Sequence, residues 1–247
     1  MSMLYEERSS DSPYIETITR GWTASDGSTI RPAEINWHMV FVRHNGRVQP
    51  VFVGPLRTAG VASWEEGAEL LWIRFKLGTF MPHLPTRDFL DVETNLPGAA
   101  SQSFWLKGSA WQFPDYDNVE TFIDKLVREE VLVCDPVVNA ALQNQWPEMS
   151  LRTVRHRFLR ATGMSQNYIS QVERAQRAEA LLKQGVPILD TVYELGYFDQ
   201  PHLTRSLKQF IGYTPAEIVR RSKPDCQNIQ DTILLPGYDT NVLRIVQ

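Results

Sequence analysis

The chain has 247 residues, 43% of them apolar and 22% charged, with a formal net charge of −4. That length holds two modest cores and the apolar content argues against disorder, while no run reaches the roughly 18 to 20 uncharged apolar residues of a membrane span. The N-terminus MSMLYEERSS is too acidic and polar for a signal peptide, so a cytoplasmic protein is expected.

Residues 1–115 read as mostly β. Trp37 to Phe41 and Val48 to Val53 flank Asn45-Gly46, a dipeptide that accepts positive φ at both central positions of a tight hairpin turn. Leu70 to Leu77 (LLWIRFKL) is a further strand candidate, and Ser103 to Phe113 carries aromatics around the break Lys107-Gly108. Many short strands between Pro and Gly turns point to a cupin-like barrel or a sandwich. Trp22, Trp37, Trp64, Trp72, Trp105 and Trp111 crowd into this part. They either fill a small core or line an effector pocket, for which His38, Trp72, Arg74 and Trp105 are the candidates, with Glu69 as a further polar group. His38, His44 and His83 lack the spacing of a metal-binding cupin, and the two cysteines, Cys134 and Cys226, cannot form a zinc cluster alone. No metal, cofactor or enzymatic activity is expected.

After the polar stretch Asp115 to Asn118 the period becomes helical. Phe122 and Leu126 mark one helix, and Val137, Val138, Ala141 and Leu142 another, opened by Asp135-Pro136 and ended by Pro147. Ser150 caps a helix running to Ala161, stopped by Gly163. A longer helix spans Tyr168 to Gln184, a short one carries Ile188, Val192 and Leu195, Asp199 caps the next, and Thr214-Pro215-Ala216 opens the last. Pro201 falls in a first turn, where it breaks no hydrogen bond.

One pattern occurs twice in this part at an offset of 49 residues: Ser150, Val154, Phe158, Gly163 and Ser165 correspond to Asp199, Leu203, Leu207, Gly212 and Thr214. Each copy is a capped helix with apolar residues at helical spacing and a glycine stop. Between the apolar positions lie Arg152, Arg155, His156 and Arg157 in one copy, and His202, Thr204, Arg205 and Lys208 in the other. Two short helices with buried inner faces and cationic outer faces suit two successive stretches of DNA major groove. The charge distribution agrees. Residues 1–145 carry 12 Lys and Arg against 19 Asp and Glu, residues 146–222 carry 11 against 7, and the tail carries 2 against 3. The basic excess sits on the repeat and neutralises phosphates locally, since charges beyond about 8 to 10 Å are screened.

The run containing RHRFLRATGMS, ERAQRAEALL and VYELGYFDQPHLTRSLKQFIGYTPAEI resembles the DNA-binding domain of AraC/XylS-type transcription regulators. The most specific piece is G-[FY]-x-[DS]-x-x-x-[LF]-x-[RK]-x-[FL]-[KR]-x-x-x-G-x-[ST]-P, present from Gly196 to Pro215. The resemblance implies an α+β chain of two domains: a β-rich sensor or dimerisation domain over 1–115, and an all-α domain over 116–222 with two helix-turn-helix subdomains joined by a linker helix. It implies double-stranded DNA and RNA polymerase as partners, with control by a small-molecule effector and homodimer formation as further expectations and no membrane association. It places base reading on Arg152, Arg155, His156, Pro201, His202 and Arg205, of which Pro201 departs from a usually polar position and has no hydrogen to donate. Arg donates two hydrogen bonds to guanine and His one to a purine N7. Arg157, Arg160, Arg174, Thr204 and Lys208 are placed as phosphate contacts.

Two other classes compete. An Ada-like repair protein would need more cysteines, and a cupin-type metal enzyme fused to a helical interaction module would retain stoichiometric metal. The tail, 223–247, carries the β-prone runs Ile233-Leu234-Leu235 and Val242 to Val246 about Pro236-Gly237, and is expected either to return to the β domain and add one or two strands there or to form a local hairpin packed only on the helical domain.

Overall fold

A computed structural model describes residues 3–100, 102–143, 145 and 148–222. Trp146, Pro147, Cys226 and the tail with its expected strands lie outside the described residues.

The strands in chain order are β1 (Met3–Ser9), β2 (Ile15–Thr23), β3 (Gly27–Arg31), β4 (His38–His44), β5 (Arg47–Val53), β6 (Gly60–Trp64), β7 (Glu69–Phe75), β8 (Thr79–Phe80), β9 (Glu93–Asn95), β10 (Gly98–Ala99), β11 (Ser103–Leu106), β12 (Ser109–Gln112) and β13 (Val133–Cys134). One sheet has the order β1-β2-β7-β4-β5-β9, with every pairing antiparallel. Beside it stand the pairs β3–β6 and β8–β13 and the meander β10–β12. Asn45 and Gly46 (φ 50° and 75°) turn β4 into β5, and Lys107 and Gly108 (51° and 78°) turn β11 into β12 in the same way, the positive-φ pair that a two-residue hairpin requires. The central strands are covered on both faces. Met39, Phe41, Phe52, Leu71 and Ile73 enter one core, whereas Val40, Val42, Val51, Val53, Leu70 and Trp72 enter a second. Double coverage explains why MVFV (39–42) and LLWI (70–73) are unbroken apolar runs rather than alternating ones.

The helices are α1 (Val119–Arg128), α2 (Pro136–Leu142), α3 (Leu151–Thr162), α4 (Gln166–Lys183), α5 (Ile188–Glu194), α6 (Gln200–Phe210) and α7 (Pro215–Arg221). Residues 3–112 are therefore mostly β and 119–221 helical, the two-part α+β layout expected from the sequence. By packing, α1 belongs to the first part. Val119, Phe122, Ile123 and Leu126 share a core with Phe104 and Trp111, and Arg8 of β1 clasps Glu120 with Nη2 2.9 Å from Oε2.

The remaining helices form two cores. One gathers Val137, Val138, Val154, Phe158 and Ile169; the other gathers Val172, Ala175, Leu182, Val192, Leu203, Leu207 and Ile218. Helix α4, 18 residues and so about 27 Å long, contributes to both. Each core also takes a residue from the β part, Phe80 in the first and Ala33 in the second.

Candidate nucleic-acid interface

The 49-residue repeat is a repeat of local structure. Ser150 Oγ accepts from Thr153 N at 3.2 Å to start α3, and Asp199 Oδ1 accepts from His202 N at 2.7 Å to start α6, each satisfying one of the orphan donors of a helix start. Val154, Phe158 and Ala161 face inward on α3, and Leu203, Leu207 and Phe210 on α6. The helices end at left-handed Gly163 (φ 73°) and Gly212 (φ 88°), and Ser165 and Thr214 then cap α4 and α7.

With the apolar positions inside, the intervening side chains face out. Arg152, Arg155 and His156 are exposed on α3, as are Pro201 and Arg205 on α6. None of the three arginines is held in an ion pair among the described residues. His202 is half-buried, with its ring edge against Tyr197 at 5.2 Å between centroids. Its Nδ1 accepts from Phe198 N at 3.4 Å, which leaves the proton of the neutral ring on Nε2, the atom that would donate to a purine.

The residues placed at phosphates divide differently. Arg160 is exposed, its guanidinium 5.5 Å from the Phe80 ring, and the Thr204 hydroxyl donates to Gln200 O at 2.9 Å. Lys208 lies 3.7 Å from Glu217. Arg157 is taken up by Asp135, with Nε and Nη2 at 2.9 and 2.7 Å from the two carboxylate oxygens. Since Asp135 also caps α2 by accepting from Val137 N at 3.0 Å, this pair locks α3 onto the start of α2. Arg174 reaches from α4 to stack on Tyr197, 4.5 Å from the ring centre. Arg157 thus braces the first helix pair within itself and Arg174 ties α4 to the second, whatever else they touch.

Sequence reasoning passed over an exposed apolar set beside α6. Leu189 and Tyr193, four apart on α5, are 56% and 80% exposed, and Phe198 in the following turn is 91% exposed. The signal was available: with Ile188, Val192 and Leu195 facing in, positions 189 and 193 must face out.

In the β part, three of the four expected pocket residues come together. On the paired strands β4 and β7, His38 is opposite Arg74 and Val40 is opposite Trp72, so His38, Trp72 and Arg74 share a face. Arg74 bonds Glu34 at 3.1 Å and lies 3.3 Å from Glu16. Burial, with Arg74 and Arg31 nearby, holds His38 well below its usual pKa and hence neutral. Trp105 is elsewhere, on β11 and 47% exposed. Of the six tryptophans, Trp37, Trp64, Trp72 and Trp111 are core residues and Trp22 and Trp105 are half-exposed. Trp37 stacks between Phe75 and Phe52, at 3.8 and 4.8 Å between centroids.

Residues 148–221 match the family model described as a helix-turn-helix domain, of the AraC type. No curated protein and no solved structure gives a significant match to the chain. No helix among the described residues is long and apolar enough to cross a membrane.

Proposed function

On the premise that residues 148–221 are an AraC-type helix-turn-helix domain, we propose that the chain is a sequence-specific transcription regulator that reads two adjacent major-groove segments with α3 and α6. The observation that carries this reading is the pair of equivalently capped helices with apolar faces buried and Arg152, Arg155, His156 and Arg205 left exposed. Arg155 and Arg205 read guanine edges through two donors each, and Arg152, His156 and His202 add single contacts. Pro201 contributes van der Waals contact and no hydrogen bond. Arg160, Thr204 and Lys208 sit on phosphates and fix position without specifying sequence. The β part, nominally 1–115, senses a small molecule or pairs two copies of the chain. RNA polymerase is the downstream partner, and the protein works in the cytoplasm without a cofactor.

Selection of bound DNA from a random oligonucleotide pool tests this. The expected product is a motif of two elements about 10 base pairs apart on one face of the duplex. Arg155→Ala and Arg205→Ala should each cost about 1 to 3 kcal/mol on that motif and relax discrimination at one base step. Equal losses on selected and random DNA would demote both arginines to phosphate contacts, and a pool without enrichment would end the proposal.

A further inference from the structure

The β domain holds both copies of the repeat at the same point. Ala161 and Phe210 are equivalent under the 49-residue offset, and each lies at the C-terminal end of its helix, where backbone carbonyls have no donor of their own. The donors come from the β part. Thr86 Oγ1 reaches Ala161 O at 3.2 Å, Ala33 N reaches Phe210 O at 2.6 Å, and Ala59 N reaches the neighbouring Gln209 O at 2.8 Å. The next equivalent pair, Gly163 and Gly212, presses on the same surfaces. A Cβ on Gly163 would stand 3.2 Å from backbone atoms of Thr86 and Arg87, and one on Gly212 would overlap Ile30 Cγ2 and stand 3.3 Å from Ala59 Cβ. The left-handed φ alone accounts for glycine at a helix end. The close approach of a second domain at both copies is a separate fact.

The gripping surface is itself anchored. From Ala33 to Asn36 the chain is two-sided. Ala33 and Ile35 pack with the helical cores, and Ala33 O accepts from Gln176 Nε2 of α4 at 3.3 Å. Glu34 and Asn36 instead turn to the β domain, the first accepting from Arg74 and the second donating to Phe75 O at 2.6 Å. Just before this segment Arg31 pairs with Glu93 at 3.2 Å, both almost fully buried. Tyr168 at the start of α4 adds a bond from its hydroxyl to Arg57 O at 2.7 Å.

We propose that the β domain is part of the DNA-reading unit: it grips equivalent points of α3 and α6 and thereby sets the distance and angle between them, with Thr86, Ile30 and the Ala33–Asn36 segment as positioning residues for the spacing of the two DNA elements. This rests on the two-helix reading above. Helix α4 alone would join the subdomains through a single rod free to bend. The grip adds a second connection in parallel, so a shift of β3–β6 relative to the turn at Thr86 moves one reading helix against the other.

Two measurements on the full chain test the grip, and the first needs no DNA. With Cys134 and Cys226 replaced by Ser, spin labels at Arg152→Cys and Arg205→Cys report the separation of the two helices. A single narrow distance distribution is expected, broadened or shifted when Ile30→Ala and Thr86→Val are added. The second measurement uses the unlabelled protein on selected DNA whose two elements are moved apart or together by one base pair, a change that rotates one element by about 35° about the axis. The unsubstituted protein should lose affinity on respaced DNA and the double variant should lose less, while affinity for DNA carrying one element stays the same in both. If the double variant does not melt cooperatively, Thr86→Val alone, which removes one hydroxyl, is measured in its place. An unchanged distance distribution together with an unchanged spacing profile would overturn the grip. Selected DNA with a single element would instead overturn the two-helix reading, and the distance measurement would still decide whether the β domain holds the helices.

Discussion

Cutting the chain at residue 115, where the composition changes, should give a fragment that does not fold, whereas cutting after Cys134 should give one that does. Beyond residue 115, Val119, Phe122, Ile123, Leu126, Val131 and Leu132 are all buried in the core that contains Phe104 and Trp111. At about 1.5 to 3 kcal/mol for each buried apolar side chain, their six contributions amount to roughly 9 to 18 kcal/mol, an upper estimate because an unfolded chain already hides part of that surface. Even the lower figure is comparable with the whole stability of a typical domain, about 5 to 15 kcal/mol. The Arg8–Glu120 clasp, which fastens β1 to α1, is lost with them. Fragments 1–115 and 1–134 would be compared by near-ultraviolet circular dichroism and thermal melting. The longer fragment should melt cooperatively, below the full chain because Phe80 and Ala33 lose their helical neighbours. A cooperative transition in fragment 1–115 at the same temperature as in 1–134 would refute the assignment of α1 to the β core.

Two further outcomes concern pH. The Arg8 guanidinium lowers the Glu120 carboxyl to about 2, from 4.5 in the unfolded chain, so the clasp stabilises fully above pH 4.5 and is lost as pH falls toward 2; with both side chains about one third exposed, screening limits the effect to about 1 kcal/mol. Urea midpoints at pH 7 and pH 3 should therefore differ less in Glu120→Gln than in the unsubstituted protein, and equal differences would remove the clasp from the account of acid sensitivity. Neutral, buried His38 has its pKa depressed in the fold, so it contributes stability above pH 6.5 that is lost progressively below it. Melting temperature should fall between pH 7 and 5 with a steeper slope in the unsubstituted protein than in His38→Gln, and parallel slopes would place the titration elsewhere.

The repeat was legible because everything that defines it is local. A cap bonds a backbone three residues away, as Ser150 and Asp199 do, and a glycine stop answers to its own φ. Asn45-Gly46 was legible for the same reason, and Lys107-Gly108, read as a break, is the same hairpin turn. What failed to show was non-local. Strands β3 and β6 pair Gly27 with Trp64 and Arg31 with Gly60, and nothing in GSTIR or GVASW announces a partner some thirty residues away. The period of Phe122 and Leu126 shows that α1 buries a face but not which core receives it. Aromatic crowding alone put Trp105 in a pocket, although alternation along β11 turns Phe104 and Leu106 inward and Trp105 out. The contacts between the domains are the least visible of all, because three of the groups that hold α3 and α6 are two backbone N–H groups, of Ala33 and Ala59, and one threonine hydroxyl. Backbone donors have no side-chain signature. Yet their targets, Ala161 and Phe210 with Gly163 and Gly212 after them, stand at the repeat's own offset, so a surface that recognises the end of one helix meets the same carbonyl and the same bare glycine at the end of the other. A duplicated helix thus presents two equivalent handles, and one rigid domain that holds both constrains their separation in a way that no property of either helix alone determines.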